Sequence, residues 1–241
     1  MSDNVIRLRH PVDGRSALAL RPVTGSDERW LAEAQESGLS LARIGNGFLA
    51  RLLGDEDAGT VPALALGDRE RLLRALAVSL LGPVVLRAFP CPAGCGEQLE
   101  IAIPLARLDA ALPPARSSLP PVRLLTAADL EAAAAAPDPA AFLAEAADPE
   151  GTIARAELAA RLEASDPDAD CRIVTACPAC GAPAGLAIDA LALVLEALAQ
   201  GGGFLADLDT LARSYGWSEA EIVAMPRARR RRYAELARQQ T

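Results

Sequence analysis

The sequence predicts a mainly α-helical protein with a small β unit, an α+β chain in which two strand-knuckle-strand hairpins are flanked by helices. Three observations lead there. Of the 241 residues 51% are apolar but only 3% are aromatic, and that apolar content is mostly alanine and leucine, which favour helix. Helix start and stop signals recur along both flanks. Two near-copies of one phrase, Cys91-Pro92-Ala93-Gly94-Cys95-Gly96 and Cys177-Pro178-Ala179-Cys180-Gly181, each sit between short alternating segments that read as strands.

In chain order, residues 1–83 form an N-terminal extended arm and helices. Residues 1–25 read as extended, closing in the turn signal Arg21-Pro22-Val23-Thr24-Gly25. Ser26 or Asp27 is positioned to cap a helix that runs to about Ser37. A second helix follows from Leu39 to Leu53, with Gly45 and Gly47 as weak points in its middle. Asp55 to Gly59 is a loop. From Asp68 to Leu81 a further helix puts Leu72, Leu73, Leu76 and Leu80 on one face and stops at Gly82-Pro83.

Residues 84–104 form the first hairpin. Val84 to Phe89 leads in, and Leu99, Ile101 and Ile103 alternate with Gln98, Glu100 and Ala102 on the way out. Residues 171–189 form the second, with Arg172 to Ala176 leading in and Leu186 and Ile188 alternating after it. Between them, residues 105–170 make an acidic helical insertion. Pro113-Pro114 and Pro120-Pro121 punctuate its start. Asp129 to Ala136 is a short helix broken by Pro137-Asp138-Pro139, and Asp148 to Leu162 is another. Eleven acidic and two basic side chains over residues 128–170 read as a solvated face, with a basic partner as the alternative.

Residues 190–241 are C-terminal helices. Leu191, Leu193, Val194, Leu195 and Leu198 are apolar nearly all round, so this segment is either central to the core or covered by another subunit. Gly201-Gly202-Gly203 breaks it, without the lysine or glycine spacing of a nucleotide loop. Phe204 to Tyr215 puts Leu205, Leu208, Leu211 and Ala212 on one side, and Gly216 follows as a left-handed cap. Ser218 and Glu221 form a capping box, and Trp217 and Ile222 stand at staple positions, which gives Trp217 a structural role before any ligand-stacking one. Pro226 opens the last helix, whose first turns carry Arg227, Arg229, Arg230, Arg231 and Arg232 ahead of Tyr233. Positive charge at a helix N-terminus opposes the macrodipole, so the acidic insertion or a partner is expected to compensate.

The cysteine spacing points to a metal. Two cysteines two or three residues apart, followed by glycine, fold back so that both sulfurs face one point, and four thiolates complete a tetrahedral structural zinc site. Cys91, Cys95, Cys177 and Cys180 then leave no open position for catalysis. Closing the intervening loop costs about 4 kcal/mol, whereas structural zinc returns roughly 10 to 16 kcal/mol in small peptides. Two unmetallated pairs would leave so regular a repeat unexplained. A disulfide exchange centre would place its pair at the start of a helix. Iron in a rubredoxin-like site uses the same ligands and stays open. Cys171, the odd cysteine, reads as a small buried apolar residue.

Function classes narrow accordingly. With His10 as the single histidine there is no His-based triad. A zinc hydrolase would need one cysteine free of metal. Met1 to His10 carries charges where a secretory core would be apolar. The longest uncharged run, Ile173 to Ile188, is short and broken by Pro and Gly, so no membrane span is expected. Cysteines arranged for metal suit a reducing compartment. The net charge of −8 and hairpins poor in Lys, Arg and aromatics weigh against nucleic acid, leaving the C-terminal arginine run as the one feature that would support a nucleic-acid-binding zinc ribbon.

The order of motifs adds a resemblance. Leu20-Arg21-Pro22-Val23-Thr24-Gly25-Ser26-Asp27-Glu28, the Asp68 helix, the split cysteine pairs, and Leu211-Ala212-Arg213-Ser214-Tyr215-Gly216-Trp217-Ser218-Glu219 with Arg229 to Tyr233 behind it resemble the baseplate protein family of T-even-type phages. Its members include baseplate hub assembly chaperones and occur with phage-tail-like contractile injection systems. The resemblance implies a non-enzymatic baseplate component or assembly factor, working in a bacterial or phage-infected cytoplasm or retained in the particle. Its implied partners are hub, tube or baseplate proteins, with Arg227, Arg229, Arg230, Arg231, Arg232 and Tyr233 as the candidate partner surface and no small-molecule substrate. The acidic insertion and the triple glycine depart from the family's pattern.

Overall fold

A computed structural model describes residues 4–111, 122–200 and 203–239. The two proline pairs at 113–114 and 120–121, and the first two glycines of the triple run, lie outside them. The described chain is mainly helical, with three separate two-stranded antiparallel sheets.

The first sheet pairs β1 (Asn4–Val12) with β2 (Arg15–Leu20), Ile6 opposite Leu18. The N-terminal arm is therefore a paired hairpin rather than a lone extended segment. Asp13 and Gly14 both have positive φ, 48° and 76°, the two-residue turn whose twist matches its strands. Ile6, Leu8, Leu18 and Leu20 form the buried face.

Helix α1 (Gly25–Glu36) is capped by Thr24, not by Ser26 or Asp27. Asp27 stands at the third helical position, where its carboxylate accepts the Thr24 N–H at 2.9 Å and two guanidinium bonds from Arg21 at 2.6 and 2.7 Å. Helix α2 (Leu41–Leu53) starts at Ser40, whose hydroxyl accepts the Arg43 N–H. Its glycines serve close packing: a Cβ on Gly47 would meet the Trp30 ring at 2.7 Å, and one on Gly45 would enter the Arg69 guanidinium.

After a short 3-10 turn at Ala58–Ala63, helix α3 (Leu66–Leu81) runs through the centre of the molecule, with Leu72, Leu73, Leu76 and Ala77 buried. Strands β3 (Val85–Pro90) and β4 (Gln98–Ile103) follow it as the second sheet, in register from Val85 opposite Ile103 to Pro90 opposite Gln98. Helix α4 (Leu105–Ala111) then returns against α3.

The insertion is pinned to the start of α3. The Leu66 N–H donates to the Leu125 carbonyl at 3.0 Å and the Ala127 N–H to that of Leu64 at 2.9 Å. Helix α5 (Ala127–Ala133) opens on a capping box between Thr126 and Asp129. The Pro137-Asp138-Pro139 break starts a helix that the sequence reading lacks, α6 (Pro139–Ala147): Pro139 takes a first-turn position, where no N–H is needed, and Asp138 caps the Ala141 N–H. No helix begins at Asp148. That carboxylate accepts the Ile153 N–H at 2.8 Å, the chain turns at Gly151, and α7 spans Arg155–Ser165.

The third sheet pairs β5 (Arg172–Ala176) with β6 (Pro183–Ala187). Helix α8 (Ala190–Ala199) packs along α3 and buries Leu191, Leu193, Val194 and Leu198, so the central-core alternative holds. By length and composition alone the sequence Ala190–Tyr215 is apolar enough to cross a membrane, a test that a core helix also passes. The leucines of its first half are spent in the core.

Helices α9 (Gly203–Tyr215), α10 (Glu219–Ala224) and α11 (Arg227–Gln239) close the chain around Leu211, Ile222 and Ala234. Gly216 has the positive φ expected of a cap, and the Ser218–Glu221 capping box is formed. Leu205 is exposed rather than facing inward.

Candidate metal centre

Each knuckle is shaped by backbone bonds that its glycines permit. In the first, the Gly94 N–H donates to the Cys91 carbonyl at 3.0 Å and the Cys91 N–H to that of Glu97 at 2.9 Å, with Gly94 and Gly96 at φ 71° and 87°. In the second, the Gly181 N–H donates to the Cys177 carbonyl at 2.9 Å and the Cys177 N–H to that of Ala182 at 2.8 Å, with Gly181 at φ 71°. The first cysteine of each pair is buried beside Leu99, Ala184 and Phe89, and the second is exposed at the tip.

The two tips meet. The four Sγ atoms lie within 4.8 Å of one another, and the contacts at 3.7 Å run crosswise, Cys91 to Cys180 and Cys95 to Cys177. A disulfide needs about 2.05 Å, so these are separate thiols. A tetrahedral zinc with bonds of about 2.3 Å has sulfur edges of about 3.8 Å, and the donor set fits such an ion. These four residues would hold it, and its chemistry there is a cross-link between hairpins. Cys171, buried in the main core, is not part of the set.

Nearby N–H groups tune the thiols. The Cys180 backbone N–H, helped by that of Ala179, brings Cys177 down to about 7 despite desolvation. At Cys95 the Glu97 N–H pulls the same way, yet hydrogen bonds with the neighbouring thiols and desolvation push it up to about 12. Cys180 is also raised: the Ala182 N–H opposes the shift, and its contact with Cys177 leads those that favour it. The N–H groups of Cys180 and Ala179 at Cys177, of Glu97 at Cys95 and of Ala182 at Cys180 are in place to support thiolate charge.

What brings the hairpins together is a group of charges that sequence reasoning missed. Asp166 and Asp168, read as part of a solvated face, are buried just ahead of β5. Asp168 receives Arg74 of α3 at 3.0 Å and Arg9 of β1 at 2.6 Å, with Arg71 at 3.6 Å. Asp166 accepts the Gly67 N–H at 2.8 Å, and Asp68 accepts the backbone N–H groups of Arg9 and His10 at 2.6 and 2.8 Å. Burial outweighs these bonds and raises the pKa of both Asp68 and Asp166. The second hairpin is thus moored to α3, from which the first hairpin springs, and Arg87 of β3 reaches Glu196 of α8 at 2.5 Å.

The arginine run divides. Arg227 and Arg230 are buried and turn inward onto Glu28 of α1, Arg227 at 2.5 Å and also 2.6 Å from the Ala197 carbonyl, while Arg230 faces Asp207 of α9 as well. Desolvation lowers the Arg227 pKa. These two are structural and are not part of an outward surface. The charge opposing the α11 dipole is answered by Glu28 and Asp207, neither of which belongs to the acidic insertion. Arg231 bonds to the Gln200 carbonyl at 2.6 Å, Arg229 lies over the Tyr233 ring at 5.6 Å, and Arg232 is exposed. No protein family, curated protein or solved structure matches this chain.

Proposed function

We propose that the chain is a non-enzymatic baseplate component or assembly factor of a contractile tail, its two knuckle hairpins joined as a zinc-ribbon-like unit by one structural zinc. The observation that carries the staple is the crosswise closure of Cys91, Cys95, Cys177 and Cys180. Four thiolates fill a tetrahedral ion, which favours a structural over a catalytic role. The tail assignment rests on the order of motifs from Leu20 to Glu28 and from Leu211 to Tyr233 that resembles the T-even-type baseplate family.

Two measurements test it. Elemental analysis of purified protein gives one zinc per chain; iron in its place corrects the metal, and no metal removes the staple. Co-expression with tube, hub and baseplate proteins of a contractile tail gives a stable complex with at least one of them, and failure to associate with any of them overturns the tail assignment.

A further inference from the structure

Aromatic side chains are scarce in this protein, eight in 241 residues, yet both tyrosines and one of the two tryptophans meet at the surface of the C-terminal helices. Tyr215 stacks on Trp217 with centroids 4.8 Å apart, and Tyr233 stands edge-on to Trp217 at 5.2 Å. Neither hydroxyl nor the indole N–H bonds to a protein group among the described residues, so their polar tips are left to solvent. Trp217 and Tyr233 rest half-buried on Leu211, Ile222 and Ala234 while Tyr215 is exposed, and such amphipathic rings suit an interface.

Beside this cluster α11 shows a stripe at helical spacing. Arg229, Arg232, Tyr233 and Leu236 fall at i, i+3, i+4 and i+7, on the side opposite the buried Arg227, Arg230, Ala234 and Ala237. Leu236 is 43% exposed. Arg229 and Arg232 have no carboxylate partner among the described residues, whereas Arg213 and Arg238 are answered by Asp209 and Asp207. Exposed Arg229, Arg232, Tyr215 and Leu236 beside half-buried Trp217 and Tyr233 supply Trp, Tyr and Arg, the residue types that dominate binding energy at protein interfaces. Arg229 lies over the Tyr233 ring and Arg232 is exposed, and neither has its charge matched by a carboxylate, which is the group this face would complement.

We propose that Arg229, Arg232 and Leu236, with the Tyr215-Trp217-Tyr233 cluster beside them, form a docking surface for a protein segment that carries carboxylates next to apolar side chains. Nucleic acid fits less well. With Arg227 and Arg230 turned inward few free cations remain for a phosphate backbone, and Tyr215 and Trp217 cover each other's faces instead of offering them to bases. The proposal stands on the geometry of α9 to α11 and not on the contractile-tail reading.

The test selects from a random peptide display library on immobilised full-length protein, in parallel with the Arg229→Glu/Arg232→Glu double variant. Both positions are exposed, and an unchanged unfolding midpoint verifies the fold. Peptides rich in Asp and Glu beside Leu or aromatics are enriched on the wild type despite its net negative charge, and lysine-rich ones on the variant. A selected acidic peptide loses at least about tenfold in affinity on the double variant and about fivefold on Tyr215→Ala. No acidic enrichment, equal binding to the double variant, or preference for a single-stranded oligodeoxynucleotide overturns the proposal.

Discussion

The Sγ atoms of Cys91 and Cys180 stand 3.7 Å apart although 89 positions separate them in sequence. Backbone bonds inside each knuckle aim the sulfurs, and the mooring of Asp166 and Asp168 onto α3 and β1 delivers one knuckle to the other. The staple and the mooring are therefore separable by mutation.

Asp168 is fully buried among guanidiniums from β1 and α3. Replacing it with Asn keeps the shape and removes the counter-charge, which costs about 3 to 5 kcal/mol when a buried pair is broken from one side. Urea unfolding of Asp168→Asn is expected to show a midpoint lowered accordingly with an unchanged slope.

Gly67→Ala gives a test with an informative sign. In an exposed helix interior the change would gain up to about 1 kcal/mol. Here the added Cβ enters the Asp166 carboxylate and comes within 2.8 Å of the Asp168 Cβ. The variant is expected to lose about 1 to 3 kcal/mol through overpacking, read from its unfolding midpoint.

Asp27 supplies a pH test. It is desolvated, but the Arg21 hydrogen bonds and the Thr24 N–H and hydroxyl outweigh that and lower its pKa below the ordinary 3.8. Its contribution is present above that ordinary value and is lost as pH falls through the lower folded one. Asp27→Asn is expected to be less stable than wild type at pH 7, with the gap closing near pH 3 in urea titrations at the two pH values.

Metal loading weakens on acidification too, over a higher pH range. Zinc must displace thiol protons, and against the Glu97 and Ala182 N–H groups, contacts with neighbouring thiols push Cys95 and Cys180 up. Affinity for zinc is expected to fall by more than about tenfold per unit as pH drops from 8 to 6, measured by competition with a chromophoric chelator. Cys171→Ala leaves that affinity unchanged.

The local features were legible because their signals are local. The cysteine phrases with their glycines, the leucine face of α3, the Ser218–Glu221 box and the Gly216 cap each sit within a few residues, and the structure forms each of them. The β1–β2 pairing was also readable, since Asp13-Gly14 between Ile6, Leu8 and Leu18, Leu20 is a hairpin signal that an unpaired reading passes over. The buried charges were not readable. Asp168 looks like a surface acid until Arg9 arrives from 159 positions away, and Arg227 looks like a surface base until Glu28 arrives from 199. Composition windows see charge, not burial.

X-ray absorption at the zinc edge on the purified chain tests the central claim most directly. The account predicts a first shell of four sulfurs at about 2.3 Å with no nitrogen or oxygen, reduced on Cys91→Ser or Cys180→Ser and intact on Cys171→Ala. A shell with fewer than four sulfurs in the wild-type protein, or one completed by light atoms, would contradict it.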